Sequence, residues 1–205
     1  MHGLLVTLEG IDRSGKSTQA RLLLEALGAD AVGVREPGGT PVGERVREVL
    51  KDPSLTVGPE AEALLFAAAR AALVHAVIAP ALEAGRVVVC DRFLDSSLAY
   101  QGVARGLGVE AVRRANELAT DGLMPDLTLL LALPAGRAGR RDGAPDRLED
   151  EGEGLQARVA AAYEELAAAD PARWTRIDAD RPVGEVHEDV LRAVERARRG
   201  VEAPA

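Results

Sequence analysis

The chain is expected to fold as a single α/β domain around a doubly wound, parallel sheet, and three observations point there. Short apolar runs without polar alternation recur along the sequence, as expected of strands buried on both faces. Segments with apolar residues at helical spacing separate them, which is the order of a parallel sheet with helical crossovers. The first apolar run passes through a glycine loop directly into a helix. No Pro/Ser/Gly-rich linker divides the 205 residues, enough for one sizeable core.

Residues 4–8 (Leu-Leu-Val-Thr-Leu) form the first predicted strand. Then come Gly10, Ile11, Asp12, Arg13, Ser14, Gly15, Lys16, Ser17 and Thr18, with the phosphate-loop spacing G-x-x-x-x-G-K-S. Glycine lets successive backbone N–H groups approach phosphate oxygens that side chains would otherwise block. Lys16 opens the next helix, where its ammonium can reach the outer phosphates, and the Ser17 hydroxyl suits the Mg²⁺ that accompanies them. Only two of the 25 basic side chains are lysines, Lys16 and Lys51, yet lysine stands at the phosphate position, where a compact point charge is wanted. Leu22, Leu23, Ala26 and Leu27 keep helical spacing until Gly28.

Residues 31–35 read as a second strand ending in the breaker-rich Glu36-Pro37-Gly38-Gly39-Thr40 at the sheet's carboxyl edge. A helix starting near Pro41 is expected to turn Val42, Val46, Val49 and Leu50 inward. The Ala/Leu-rich residues 59–84 read as one helix, kinked near Pro80 and ended by Gly85. Residues 86–90 are a second buried strand, with Asp91 and Arg92 at its carboxyl end, where ligands gather in such sheets. Helical segments follow through Tyr100 and over 109–120, and 127–132 is a third apolar strand. Residues 137–153, with Arg140, Arg141, Asp146 and Arg147, hold too few apolar side chains for a core element and read as a solvent-facing flap. Helix signals resume over 155–168, a last strand covers 174–178, a final amphipathic helix covers 183–198, and 200–205 are expected to fray.

A net charge of −8 would repel a polyanion, and no basic tail or aromatic-basic stripe argues for nucleic acid, so small partners are expected. The single cysteine, Cys90, excludes an intramolecular disulfide and fits a reducing compartment. With no signal peptide recognised and no apolar run taken to be of membrane-spanning length, the expectation is a soluble, cytoplasmic protein.

Asp91 at a strand end suits Mg²⁺, usually through water, and Arg92 beside it offers a bidentate grip on a second phosphate. Phe66 and Arg70, one helical turn apart, pair an aromatic plane with a guanidinium, as holding a flat base requires. Residues 35–39 and Ser96, Ser97, Tyr100 and Gln101 are expected around the same crevice.

Together these motifs, with Asp146-Arg147-Leu148-Glu149, stand in an order that resembles the thymidylate kinase family from end to end. The resemblance implies a nucleoside-monophosphate-kinase sheet of five parallel strands flanked by helices on both faces, a short mobile lid at about 137–153, and a cytoplasmic homodimer. It implies transfer of a phosphoryl group from ATP to dTMP, giving dTDP, with Mg²⁺. Carried over by position, Arg92 and Arg47 would contact the dTMP phosphate, and Phe66 would stack on thymine. Arg70, Gln101 and Ser97 would read the base's polar edge, with Ser96 in the same pocket. Tyr100 would exclude a ribose hydroxyl, and Asp12 or Glu36 would hold the 3′-hydroxyl region. Lys16 would neutralise the donor phosphates, and either Arg13 or the lid arginines Arg140, Arg141 and Arg147 would cover the migrating group. The loop 178–182 is the expected adenine contact. Two rivals remain at this point: a related kinase with another nucleoside monophosphate, and a nucleotide switch, against which stands the lack of an Asn-Lys-x-Asp run.

Overall fold

The computed structural model describes residues 3–137 and 152–202. Among them, β1 (Leu4–Glu9), β2 (Ala31–Arg35), β3 (Val87–Asp91), β4 (Leu127–Ala132) and β5 (Trp174–Asp178) form one parallel sheet in the order β2-β3-β1-β4-β5. The chain leaves central β1 for one side of the sheet and later crosses to the other, so β1 marks the switch point at which a ligand crevice opens.

Strand alternation divides β1 between two packed layers. Leu4, Val6 and Leu8 face α1 (Lys16–Leu27) and α8 (Val183–Glu202), against Leu23, Val186 and Val190. Leu5 packs on the opposite side among Leu73, Ile78, Phe93 and Val112, from α3 (Pro59–Leu73) through α6 (Val109–Thr120). A third cluster sets Ile11, Leu130 and Trp174 against Leu155, Val159 and Tyr163 of α7 (Gly152–Ala169). Because both faces are covered, β1, β3 and β4 carry the unalternating apolar runs that made them legible.

Several boundaries differ from expectation. In α2 (Pro41–Lys51), capped by the Thr40 hydroxyl accepting from the Gly43 N–H at 2.9 Å, Leu50 is buried but Val42 and Val49 are 56% and 39% exposed. The kink expected at Pro80 is a π-helical turn just ahead of it, Val74–Ile78, between α3 and α4 (Ala79–Glu83). Proline lacks an N–H and its ring crowds the carbonyl four residues back, so widening that turn relieves the clash. The run Pro59–Glu83 is, contrary to expectation, long and apolar enough to cross a membrane by length and composition. Here Leu73, Val74 and Ile78 lie in the core, and the run also carries the buried charges Glu62 and Arg70. The helix expected to end at 198 reaches Glu202, beyond the start of the expected frayed tail. Of the lid expected at about 137–153, Arg137 ends a short 3-10 turn and residues 152–153 open α7, while the rest, with Arg140, Arg141, Asp146 and Arg147, lies outside the described residues.

One buried ion pair fixes the short helix α5 (Leu94–Ser97) to the sheet. Arg173, just before β5, grips the fully buried Asp95 with both terminal nitrogens at 2.5 and 3.0 Å and also donates to Thr128 on β4. Ser96 and Ser97 are thereby held at the carboxyl end of the sheet.

Candidate active site

The phosphate loop is shaped by residues in left-handed backbone conformations. Gly10 (φ 142°) and Gly15 (φ 92°) adopt them freely, and at Gly10 a Cβ would stand 2.6 Å from the Leu131 carbonyl oxygen. Arg13 (φ 64°) and Arg92 (φ 71°) adopt one despite their side chains, a backbone cost of order 1 kcal/mol each that persists only where surroundings dictate it. Ile11 turns its side chain into the core, Ser14 is buried, and Arg13, Ser17 and Thr18 are exposed.

Lys16 folds back over the loop. Its Nζ donates to the Ile11 carbonyl at 2.6 Å and to the Ser14 hydroxyl at 3.3 Å. Burial, with the neighbouring Arg92 charge, pulls its ammonium down to about 7, against opposing pulls from Asp91, Asp12 and Glu9. A polyphosphate lying along the loop would supply the missing counter-charge. Ser17 Oγ donates to Asp91 Oδ2 at 2.5 Å, joining the helix start to the end of β3.

Arg92 is the hub. Only 18% of its side chain is exposed, and it lies with its guanidinium carbon 5.3 Å from the Tyr100 ring centroid. One terminal nitrogen donates to the Gly10 carbonyl (3.2 Å) and the Ser96 hydroxyl (3.1 Å), and the other to Asp12 Oδ1 at 2.5 Å. Asp12 is held from the far side by Gln156 on α7, which donates to Oδ2 at 2.7 Å and accepts from the Asp12 N–H at 3.1 Å. Burial alone would raise the Asp12 carboxyl, but Arg92, Lys16, Gln156 and Tyr100 together hold it below its ordinary value.

Beneath this layer sits Glu9, last of the β1 residues on the Leu5 face and fully buried. It accepts from the Phe93 N–H (2.7 Å), the Ser96 hydroxyl (2.6 Å) and the Tyr163 hydroxyl (2.7 Å). Burial, reinforced by Asp95, raises its carboxyl despite those donors.

A crevice of about 160 Å³ opens beside Arg92. Of the sequence-predicted residues, Asp12, Glu36, Arg47, Phe66, Arg92, Ser96, Ser97, Tyr100 and Gln101 all line it. Arg47 also donates to the Pro37 carbonyl at 3.1 Å. Arg70 does not line it, although it was expected to share the base with Phe66. Its guanidinium runs under the wall and engages Glu36 (2.9 and 2.5 Å), the Ser97 hydroxyl (3.2 Å), the Phe93 carbonyl (3.0 Å) and Asn116. Burial pushes the Glu36 carboxyl up to about 7 against the pull of Arg70.

Sequence reasoning missed Glu9 and three lining residues, Lys51, Glu62 and Arg105. The scarcity of lysine was a usable signal for Lys51, and an acidic residue closing an apolar strand was one for Glu9. Glu62 and Arg105 meet only through the fold. Of the loop expected at the adenine, Asp180 accepts from Arg137 at 3.0 Å and Arg181 pairs with Asp189.

A parallel sheet with a phosphate loop after β1, an acidic strand end facing it and a cationic acceptor crevice alongside defines a P-loop phosphotransferase of nucleotide-kinase architecture. The family model for thymidylate kinase matches residues 8–190. The chain is 48% identical over 203 residues to the thymidylate kinase of Pelotomaculum thermopropionicum, covering 95% of this chain and 94% of that one. It is 47% identical over 199 residues to the thymidylate kinase of Deinococcus radiodurans, covering 94% and 96%. The crystal structure of thymidylate kinase from Ehrlichia chaffeensis superposes with a TM-score of 0.79 at 30% identity, covering 95% of this chain and all of that one. The chain belongs to the thymidylate kinase family.

The depressed Lys16 ammonium has a measurable consequence. In the empty site it is mostly neutral above pH 7, and a bound triphosphate returns it toward its ordinary value, so binding takes up a proton between the two. Calorimetry of nucleoside triphosphate binding at about pH 8.5, in buffers of different ionisation enthalpy, should show uptake approaching one proton, lost in Lys16→Met. Binding without proton exchange at that pH would contradict the assignment.

Proposed function

We propose that the phosphate loop and the crevice divide the two substrates of dTMP phosphorylation between them. Family membership makes the chain an ATP-dependent dTMP kinase, feeding dTTP synthesis. The loop from Gly10 to Thr18 holds the ATP phosphates, and the crevice holds dTMP, with Phe66 against the base, Gln101 and Ser97 at its polar edge, and Arg92 and Arg47 on the acceptor phosphate. Tyr100 and Asp12 lie at the sugar, with Glu36 further along the wall. What carries this division is the position of Arg92, bonded at once to the phosphate loop through Gly10 and Asp12 and to the crevice through Ser96.

The transfer is in-line, and the protein's part is positioning and charge stabilisation. Lys16 moves from the loop carbonyl to the donor phosphates, Arg92 holds the acceptor oxygen in line, and Asp12 fixes Arg92. Arg13, exposed at the outer bend of the loop, covers the migrating group. Arg141 and Arg147 remain proposed as its partners from the lid.

Ser17 Oγ and Asp91 Oδ2, 2.5 Å apart, form a hard-oxygen pair, and no cluster of three or more His, Cys, Asp or Glu among the described residues offers a closed metal cage. That donor set suits hydrated Mg²⁺, which keeps most of its waters and leans on substrate phosphates, and when bound it would neutralise their charge.

A homodimer is supported by the layer of α2, α3 and α6, where Val42, Val49, Leu64 and Leu118 are 56%, 39%, 61% and 91% exposed. The buried lone Cys90 supports a reducing, cytoplasmic setting. Sedimentation should find a dimer at micromolar concentration and a monomer for Leu64→Glu, and a monomeric wild type would contradict the dimer.

The function is tested with ATP and Mg²⁺ across nucleoside and deoxynucleoside monophosphates, where dTMP should be preferred. In the same assay Arg13→Ala should lower kcat/KM at least about tenfold, ~1.4 kcal/mol of transition-state stabilisation. A preferred acceptor other than dTMP would overturn the substrate assignment, and a loss under about threefold would remove Arg13 from the transfer.

A further inference from the structure

Glu62 is an unusual residue to find in the wall of a nucleotide pocket. It lies in the first turn of α3, its side chain is 1% exposed, and it belongs to none of the recognised motifs. Two residues four apart on the segment after α5 converge on it. Gln101 Nε2 donates to Glu62 Oε1 at 2.9 Å, and Arg105 donates from Nε to Oε1 at 2.5 Å and from Nη2 to Oε2 at 3.1 Å. All three line the crevice.

A carboxylate gripped at both oxygens by a guanidinium is an acceptor only, so it dictates which end of a neighbouring amide it meets. The Gln101 nitrogen must face Glu62, and the carbonyl oxygen must face away. Among the described residues, that Oε1 finds no partner, and Gln101 is itself almost fully buried. An ordinary glutamine can turn over and offer either a donor or an acceptor, whereas this one is locked as an acceptor.

Resting on the reading of the crevice as the dTMP site, we propose that Glu62, clamped by Arg105, is a positioning residue that fixes Gln101 as an acceptor for the base N3–H. Thymine and uracil carry that hydrogen. Cytosine has a lone pair at the same ring position, so the Gln101 oxygen meets another acceptor and a buried polar group goes unpaired. Sites built this way reject the wrong base more strongly than a shape-based pocket does. The device does not separate thymine from uracil, so discrimination of the methyl group belongs to other parts of the wall.

The test compares wild type with Glu62→Gln, using ATP and each of dTMP, dUMP and dCMP. A neutral amide at position 62 accepts or donates, which frees Gln101 to turn. The KM for dTMP should rise about tenfold with kcat within about twofold, and the dCMP-to-dTMP ratio of kcat/KM should rise at least about tenfold. dUMP should follow dTMP, and the KM for ATP should hold. Glu62→Asp keeps an obligate acceptor and should restore the wild-type base ratio. Gln101→Leu, which leaves Glu62 and Arg105 paired, should raise the same ratio and reads the device independently of any folding defect at position 62. A wild type that turns over dCMP as readily as dTMP would overturn the acceptor reading itself. A selective wild type whose Glu62→Gln and Gln101→Leu variants keep the wild-type base ratio, losing only thermal stability, would overturn this inference alone.

Discussion

The site is organised by a guanidinium that is largely buried at the edge of the crevice. Arg92 stands at the carboxyl end of β3 with its charge inside the protein, and a desolvated cation must be met by anions and carbonyls or it destabilises the fold. The end of β1 supplies Gly10 and, on the opposite side of the same turn, Asp12. The helix α5 supplies Ser96, and α7 supplies Tyr163 at 3.4 Å. Three pieces of chain, the turn after β1, α5 and α7, therefore take their relative positions from one side chain. Removing it would take from Asp12 its ion-pair partner, leaving it Gln156 and the more distant Lys16, at a cost below the roughly 3–5 kcal/mol of a fully buried pair, since Asp12 is 32% exposed.

The charged groups of this network differ in how their charge is balanced. At the bottom, Glu9 is raised by burial, while above it Asp12 is held down by the cations around it. Lys16, itself buried in the phosphate loop, rests on a backbone carbonyl with its ammonium pulled down to about 7. Glu9 is satisfied by protein donors, whereas Lys16 leans on a neutral carbonyl and a hydroxyl and keeps capacity for an anionic ligand. That difference separates scaffold from site more usefully than distance does, because Arg70, near the crevice and fully buried, already has Glu36, Ser97, Asn116 and the Phe93 carbonyl as partners.

Much of this was legible in the sequence, and the reason differs from part to part. The central strands β1, β3 and β4 stood out because sheet neighbours and helices bury them on both faces, which removes polar alternation, whereas the edge strands β2 and β5 are only partly buried. The phosphate loop was legible because its chemistry needs particular residues at fixed spacing. Val42 and Val49 were assigned inward from helical period alone, which cannot tell a buried apolar face from an exposed one. Phe66 and Arg70 share a spacing, yet Arg70 is drawn under the wall by Glu36, from a loop 34 residues away. Glu62 and Arg105 are joined across 43 residues with no local pattern between them.

The most direct test of the central role of Arg92 is calorimetric titration of Arg92→Lys with dTMP and, separately, with ATP. Lysine keeps the charge but loses the planar fork that reaches Asp12, Ser96 and an acceptor phosphate together. Affinity for dTMP should fall by about a hundredfold, ~2.7 kcal/mol, while affinity for ATP stays within about threefold. Equal losses for both nucleotides, or none for dTMP, would contradict the placement of Arg92 as the acceptor's holder.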